Sequence, residues 1–224
     1  MMNVQEISNS SASFALCAGI LVVVGYALGC ISTGYLVGKK NHVDIRKEGS
    51  GNSGTTNALR TMGKKAGIIT FLGDLLKAVI PVVAVRILFR EDTELAVLFE
   101  LITGLGVVLG HNFPCWLHFK GGKGIAVTAG VIISIADWRV IVIGLALFIL
   151  LVAATRYVSV GSLMVAWILP VNAGIFYRGS RYFIADLTIS IAFMVLAYIR
   201  HSSNIKRLLN GTENKLGQKK EAQQ

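Results

Sequence analysis

Seven apolar stretches, at 14–38, 66–89, 94–110, 124–136, 140–154, 158–176 and 182–199, constrain this chain more than any other feature. Several approach the ~20 residues a helix needs to cross a ~30 Å hydrocarbon layer. No water reaches the backbone there, so each crossing must satisfy its own amides as a helix. A hydrophobic fraction of 54%, a charged fraction of 15% and a mean hydropathy of +0.64 point the same way. The expectation is an all-α integral membrane protein. The first stretch has no basic segment before it and is too long for a cleavable signal peptide, so it reads as a span.

The number of crossings follows from the charges. A turn at Asp137, Trp138 and Arg139 divides 124–154 into two short spans and gives seven crossings. Sixteen Lys and Arg then lie on the side of the 39–65 loop, five on the other side (Arg86, Arg90, Arg139, Arg178, Arg181), and Lys77 within a span. A single span over 124–154 would bury Asp137 and Arg139 and leave eleven against nine. Positive loops stay cytoplasmic. This predicts a seven-transmembrane helix bundle in the cell membrane, N-terminus outside and C-terminus cytoplasmic. Residues 1–213 read as one transmembrane domain, and 214–224 as a polar, disordered cytoplasmic tail.

The net charge of +10 is accounted for by that topology and by attraction to anionic headgroups of the lipid bilayer. Nucleic-acid binding needs an aromatic-interleaved basic module in a soluble domain, and none is present. Cys17, Cys30 and Cys115 are scattered and odd in number, with neither disulfide nor metal spacing. No metal and no cofactor are expected.

Three polar segments share the cytoplasmic face. The first, GSGNSGTTNALR at 49–60, is a glycine-rich loop whose backbone N–H groups can converge on a phosphate. Ser50, Gly51, Asn52, Thr56 and Asn57 supply donors, and Arg60 can grip an anion with two parallel hydrogen bonds. Residues 57–60 look like the first turn of a helix, whose N-terminus adds positive potential. The plainer alternative is a flexible turn with a helix cap.

The second, GHNFPCWLHFKGGKG at 110–124, ends in Gly121, Gly122, Lys123 and Gly124 directly before an apolar helix. It resembles a phosphate loop but lacks the Walker spacing. His111 and Pro114 shape the approach to it. The third, RHSSNIKRLLNGTE at 200–213, places His201 and Asn204 three residues apart on one helix face. Histidine can orient or deprotonate a hydroxyl, and asparagine can bond a polyol. Glu213 is expected to pair with a basic loop. Asp74 and Lys77, three apart inside the second span, read as an interior ion pair, structural or supporting the polar site. His42 and His118 read as loop residues. No Ser-His-Asp or Cys-His relay is recognisable, and Ser50 is not in a nucleophile elbow.

These segments, with RYVSVGS at 156–162, resemble in order the bacterial acyl-phosphate:glycerol-3-phosphate acyltransferase family (PlsY), from about Gly29 to Glu213. The departures are Cys30-Ile31-Ser32, where many members read Ser-Ile-Pro, and Ser202-Ser203 in place of a charged pair. The resemblance implies a seven-helix fold. It also implies fatty acyl transfer from acyl phosphate, without coenzyme A, to the 1-hydroxyl of glycerol 3-phosphate, giving lysophosphatidic acid and inorganic phosphate. Ser50, Thr56 and Arg60 match its first motif, residues 121–124 its second, Ser159 its inter-helix turn, and His201 and Asn204 its third. Arg60 and Lys123 would clamp phosphate, Ser50, Thr56 and Ser159 would add donors, and His201 and Asn204 would orient the glycerol hydroxyl. Other phospholipid-synthesis enzymes are candidate partners. The rival reading is an organic-phosphate transporter, against which the absence of an internal repeat counts weakly.

Overall fold

The computed structural model describes Ile7 and residues 10–217, and no strand occurs among them. Ten α-helices follow in order: α1 Ser11–Gly29, α2 Thr33–Lys40, α3 Thr55–Leu88, α4 Thr93–Asn112, α5 Ile125–Ile135, α6 Trp138–Thr155, α7 Val158–Val165, α8 Ile168–Phe176, α9 Phe183–Arg200 and α10 Ser202–Leu209. A short 3-10 turn, Cys115–Leu117, lies between α4 and α5.

Among the described residues six segments are long and apolar enough to cross a membrane: Ser11–Lys40, Thr55–Leu88, Thr93–Leu117, Trp138–Thr155, Val158–Phe176 and Phe183–Arg200. The expected span at 124–136 forms only the 11-residue α5. At 1.5 Å per residue it is about 16 Å long, roughly half a hydrocarbon layer. The other short stretch lengthens instead. Asp137 caps α6 by accepting from the Arg139 amide at 2.9 Å, so that helix starts at Trp138 and runs 18 residues.

Two stretches that read as continuous are broken. The first bends between Gly29 and Thr33, and 158–176 divides into α7 and α8. The second span starts earlier than its apolar run. α3 opens at Thr55 and turns sharply at Gly63, whose φ of 83° suits only glycine, so 55–62 forms a separate short arm.

α4 is the buried spine. Gly25 and Gly29 of α1 face Gly106 and Gly110 of α4, two GxxxG pairs that bring the backbones together. A Cβ on Gly29 would lie 2.1 Å from the Val107 carbonyl oxygen. On the other side of α4, Val82, Leu101, Val107, Val127, Val131 and Phe193 close the core between α3, α5 and α9.

One end of the bundle is tied by polar contacts. Arg86 grips the buried Glu100 at 2.8 and 2.9 Å and donates to the Ser134 carbonyl. The Tyr177 hydroxyl donates to the Ile135 carbonyl at 2.8 Å. These two contacts satisfy carbonyls at the C-terminus of α5 that lack intrahelical partners. The motif-bearing loops gather at the opposite end.

Part of the expected tail has described positions. Residues 214–217 form a strap in which the Leu216 amide donates to the Arg156 carbonyl at 2.7 Å, and Arg156 Nη2 returns to the Leu216 carbonyl at 3.0 Å. Residues 218–224 of the expected tail lie outside the described residues.

Candidate active site

A single cavity of 480 Å³ joins the three segments. Its polar end is lined by Ser50, Thr56, Arg60, Lys123, His201 and Asn204, with Ser159 alongside. Residues more than 150 positions apart in sequence thus meet at one end of the bundle. Arg60, Lys123 and Arg207 line it, and Arg200 stands close behind Lys123. This excess of cations makes an anion site.

The two glycine loops build that end differently from the expected amide cradle. The Gly121 and Gly122 amides donate to the Asn112 and His111 carbonyls, each at 3.1 Å, capping the C-terminus of α4. The Gly51 amide donates to the Glu48 carbonyl, and the Ser50 amide to Asn57 Oδ1 at 2.9 Å. Four amides that sequence assigned to phosphate are therefore spent on shaping the loops. Side chains and the N-terminus of α3 are left to meet the ligand.

Asn57 and Asn52 shift role for the same reason. Asn57 Nδ2 donates to the Ile45 and Glu48 carbonyls at 3.0 and 2.9 Å, so its whole amide holds the 45–50 loop closed. Asn52 Oδ1 accepts from the Gly54 amide at 2.9 Å, setting the approach to α3. Both line the cavity wall. Thr56 and Arg60 project from the first turns of α3, and both are exposed, open to an incoming anion.

The glycines of the second loop are required by close approach. A Cβ on Gly121 would lie 2.0 Å from the His111 carbonyl oxygen, and one on Gly122 2.0 Å from His111 Nε2. Gly124, at φ 84°, reverses the chain into α5 beside Asn112. His111 itself is pinned from behind. Lys77 Nζ lies 2.9 Å from its Nδ1, 2.9 Å from Asp74 and 2.7 Å from the Ile31 carbonyl. The interior Asp74–Lys77 pair expected from sequence thus backs the loop through His111. An ammonium only donates, so His111 Nδ1 is the acceptor and the neutral ring carries its proton on Nε2.

Arg200 is the residue sequence reading underrated. Its guanidinium donates to the Gly121 carbonyl at 3.0 Å and to the Gly122 carbonyl at 2.8 and 3.1 Å, and lies 5.0 Å from the centre of the Phe113 ring. It locks the loop that carries Lys123. Its partners are mostly backbone carbonyls, which leave no sequence signal.

Lys123 Nζ donates to Asn204 Oδ1. Asn204 Nδ2 donates to Glu213 Oε1 at 2.7 Å, and the Ser159 hydroxyl donates to the same oxygen at 3.2 Å. Arg207 Nε holds the other Glu213 oxygen at 2.6 Å. Glu213 was expected to pair with a basic loop, yet its cation is Arg207 on the neighbouring α10. The carboxylate braces α10 and the start of α7 as well.

Burial, together with Arg207, Arg200 and Arg60, lowers Lys123 to about 8, against the pull of Glu213. Burial also lowers His201 to about 4, so its ring is neutral at physiological pH. Its Nδ1 lies 2.8 Å from the Ala197 carbonyl, which can only accept, so the proton sits on Nδ1 and Nε2 is left as an acceptor. Among the described residues no group of three His, Cys, Asp or Glu side chains is placed to hold a metal ion.

Below this polar end the cavity turns apolar, along Ile125, Ala129 and Ile132 of α5 and Ile141, Leu145 and Phe148 of α6. A charged head and an apolar arm describe a site for a phosphorylated amphiphile.

Known proteins resemble this chain in sequence and in overall fold. Residues 19–211 match the family described as glycerol-3-phosphate acyltransferase. The glycerol-3-phosphate acyltransferase of Clostridioides difficile is 45% identical over 206 residues, covering 90% of this chain and 97% of that protein. The enzyme of the same name from Geobacter sulfurreducens is 42% identical, over 88% of this chain and 96% of its own length. The crystal structure of PlsY (YgiH), an integral membrane glycerol 3-phosphate acyltransferase, superimposes in its glycerol 3-phosphate form with a TM-score of 0.78. It is 35% identical to this chain and covers 89% of it and 96% of the neighbour. A lysophosphatidic acid form of PlsY superimposes with a TM-score of 0.74 at the same identity. From loops to helices, this chain belongs to the glycerol-3-phosphate acyltransferase family.

Proposed function

We propose that this chain transfers a fatty acyl group from acyl phosphate to the 1-hydroxyl of glycerol 3-phosphate at the cytoplasmic face of the cell membrane. The observation that carries this reading is the continuity of one cavity from a cationic end to an apolar arm. Both substrates carry phosphate, and Arg60 and Lys123 are the clamps, with Ser50, Thr56 and Ser159 as added donors. The solved glycerol 3-phosphate and lysophosphatidic acid forms of a family member support the acceptor and the product.

His201 Nε2 accepts the hydrogen bond of the glycerol hydroxyl, and Asn204 fixes the acceptor beside Lys123. The glycerol oxygen attacks the acyl carbon, and the bond from that carbon to the phosphate oxygen breaks. With His201 held near 4, the ring is a weaker proton acceptor than a phosphate, whose second ionisation falls at about 6. The departing phosphate therefore takes the hydroxyl proton. Acyl phosphate has a good leaving group, so no covalent enzyme intermediate is needed. The work is positioning and stabilisation of developing negative charge.

The charge balance of the loops supports seven crossings, N-terminus outside and C-terminus cytoplasmic, with α5 making the shortest passage. Beneath the site the core closes on Val107, Val127, Val131 and Phe193, none more than 2% exposed, which favours an enzyme over a transporter path.

The test is purified protein with acyl phosphate and glycerol 3-phosphate, and no coenzyme A. Release of inorganic phosphate together with lysophosphatidic acid is expected, and should be lost in Lys123→Ala and His201→Ala that remain folded. Turnover with acyl-CoA alone refutes the donor; full activity in both variants refutes the site.

A further inference from the structure

The apolar arm of the cavity has one point where its width is set by a single contact. Gly144 is the one buried residue of α6. A Cβ there would lie 2.5 Å from Cδ1 of Ile168 and 3.1 Å from its Cγ1. The side chain of Ile168 therefore rests on bare backbone, and both residues line the cavity. Glycine is the poorest helix residue after proline. In the middle of an otherwise apolar membrane helix, on the side that faces a cavity, it has a packing reason.

Ile132 and Ile133 of α5 line the same cavity, eight and nine residues beyond Gly124, or about 12–14 Å along the helix axis. Ile133 and Leu145 both line the cavity, yet are 52% and 57% exposed, so the arm opens sideways where lipid would lie. A phosphorylated head at Lys123 directs an attached tail along α5 toward that opening.

We propose that the Gly144–Ile168 contact determines acyl-chain selectivity, by holding open the outer part of the groove that only longer acyl chains reach. A tail that ends before this level stays among Ile125, Ala129 and Phe148. A longer tail passes between Ile132 and the Gly144–Ile168 surface and gains apolar burial there. A side chain at position 144 either fills that space or drives Ile168 into it. The inference rests on the acyl-donor reading above.

The test compares kcat/KM for hexadecanoyl phosphate with that for octanoyl phosphate, whose tail is half as long. Removing or adding one methylene in an apolar pocket changes a rate by about tenfold or more. Gly144→Val is expected to lower the hexadecanoyl-to-octanoyl ratio by about that factor. Adding Ile168→Ala, which deletes the atoms that valine meets, is expected to restore the ratio. An unchanged ratio, or a parallel loss with both donors, overturns the proposal. Gly144→Ala, whose single methyl still meets Ile168, serves where valine is not tolerated. Should the unsubstituted protein turn over acyl-CoA but no acyl phosphate, the donor reading fails, and the same ratio measured with the two acyl-CoA esters still judges the groove.

Discussion

Lys123 donates its ammonium to the side-chain oxygen of Asn204, 81 positions further along the chain. That bond ties the glycine loop before α5 to α10, and so ties the proposed phosphate clamp to the residue proposed to orient the acceptor. Arg200 fixes the loop from one side, and Glu213 fixes Asn204 from the other.

Activity should be bounded in pH by His201 and Lys123. His201, held near 4, must be neutral to accept the glycerol hydroxyl, so activity is lost as pH falls through about 4. Lys123, held near 8, must be charged to bind phosphate, so activity is lost as pH rises through about 8. The profile of kcat/KM reports the free enzyme and should be bell-shaped between those limits. In Lys123→Arg the guanidinium stays charged, so the alkaline limb should move upward. A limb that does not move assigns it to another group.

Arg200→Met should leave the Gly121 and Gly122 carbonyls without their donor and let the loop drift. A displacement of about 1 Å at a substrate-positioning element costs about 100-fold in kcat/KM. The loss should fall mainly on KM for glycerol 3-phosphate, with Arg200→Lys recovering part of it. A loss in kcat alone would place Arg200 in the chemical step instead.

Glu213→Ala removes one carboxylate from three donors, of which Asn204 and Ser159 are buried. Hydrogen bonds to a charged group contribute about 1.5–3 kcal/mol each, and unpaired buried donors add a penalty. We expect thermal unfolding to shift down by an amount equivalent to about 2–3 kcal/mol, with activity falling further than stability. Glu213→Gln keeps an acceptor for Asn204 and should fall between. Equal stability of all three proteins would show the brace to be idle.

Gly122→Ala places a methyl 2.0 Å from His111 Nε2, and His111 cannot retreat because Lys77 holds its other nitrogen. Overpacking of this kind costs about 1–3 kcal/mol. Substrate saturation curves on the folded variant should show a raised KM for glycerol 3-phosphate. Normal kinetics would mean that the loop has room the structure does not show.

Much of the candidate site was legible because its chemistry sits in unusual residue types. Glycine, lysine and histidine at the edge of apolar helices stand out, and Arg60, Lys123, Ser159, His201 and Asn204 all reach one cavity. What misled was the assumption that glycine loops offer free amides. At Gly51, Gly121 and Gly122 the amides close the loops instead, and Asn57 holds a loop where it looked like a ligand. Bonds to backbone carbonyls carry no signature in the side chains of their partners.

Sequence by itself determined that the chain is helical and membrane-bound, because apolar runs of about 20 residues fit a helical crossing, whereas a barrel strand needs only about ten. It also determined which residues carry charge to the polar face. Only the tertiary structure decided how the short α5 ends, since Arg86 of α3 and Tyr177, just past α8, satisfy its last carbonyls. Only the fold, likewise, brought Glu213 under Asn204 and Ile168 onto Gly144. Those contacts depend on where distant helices cross, which local residue preference does not encode.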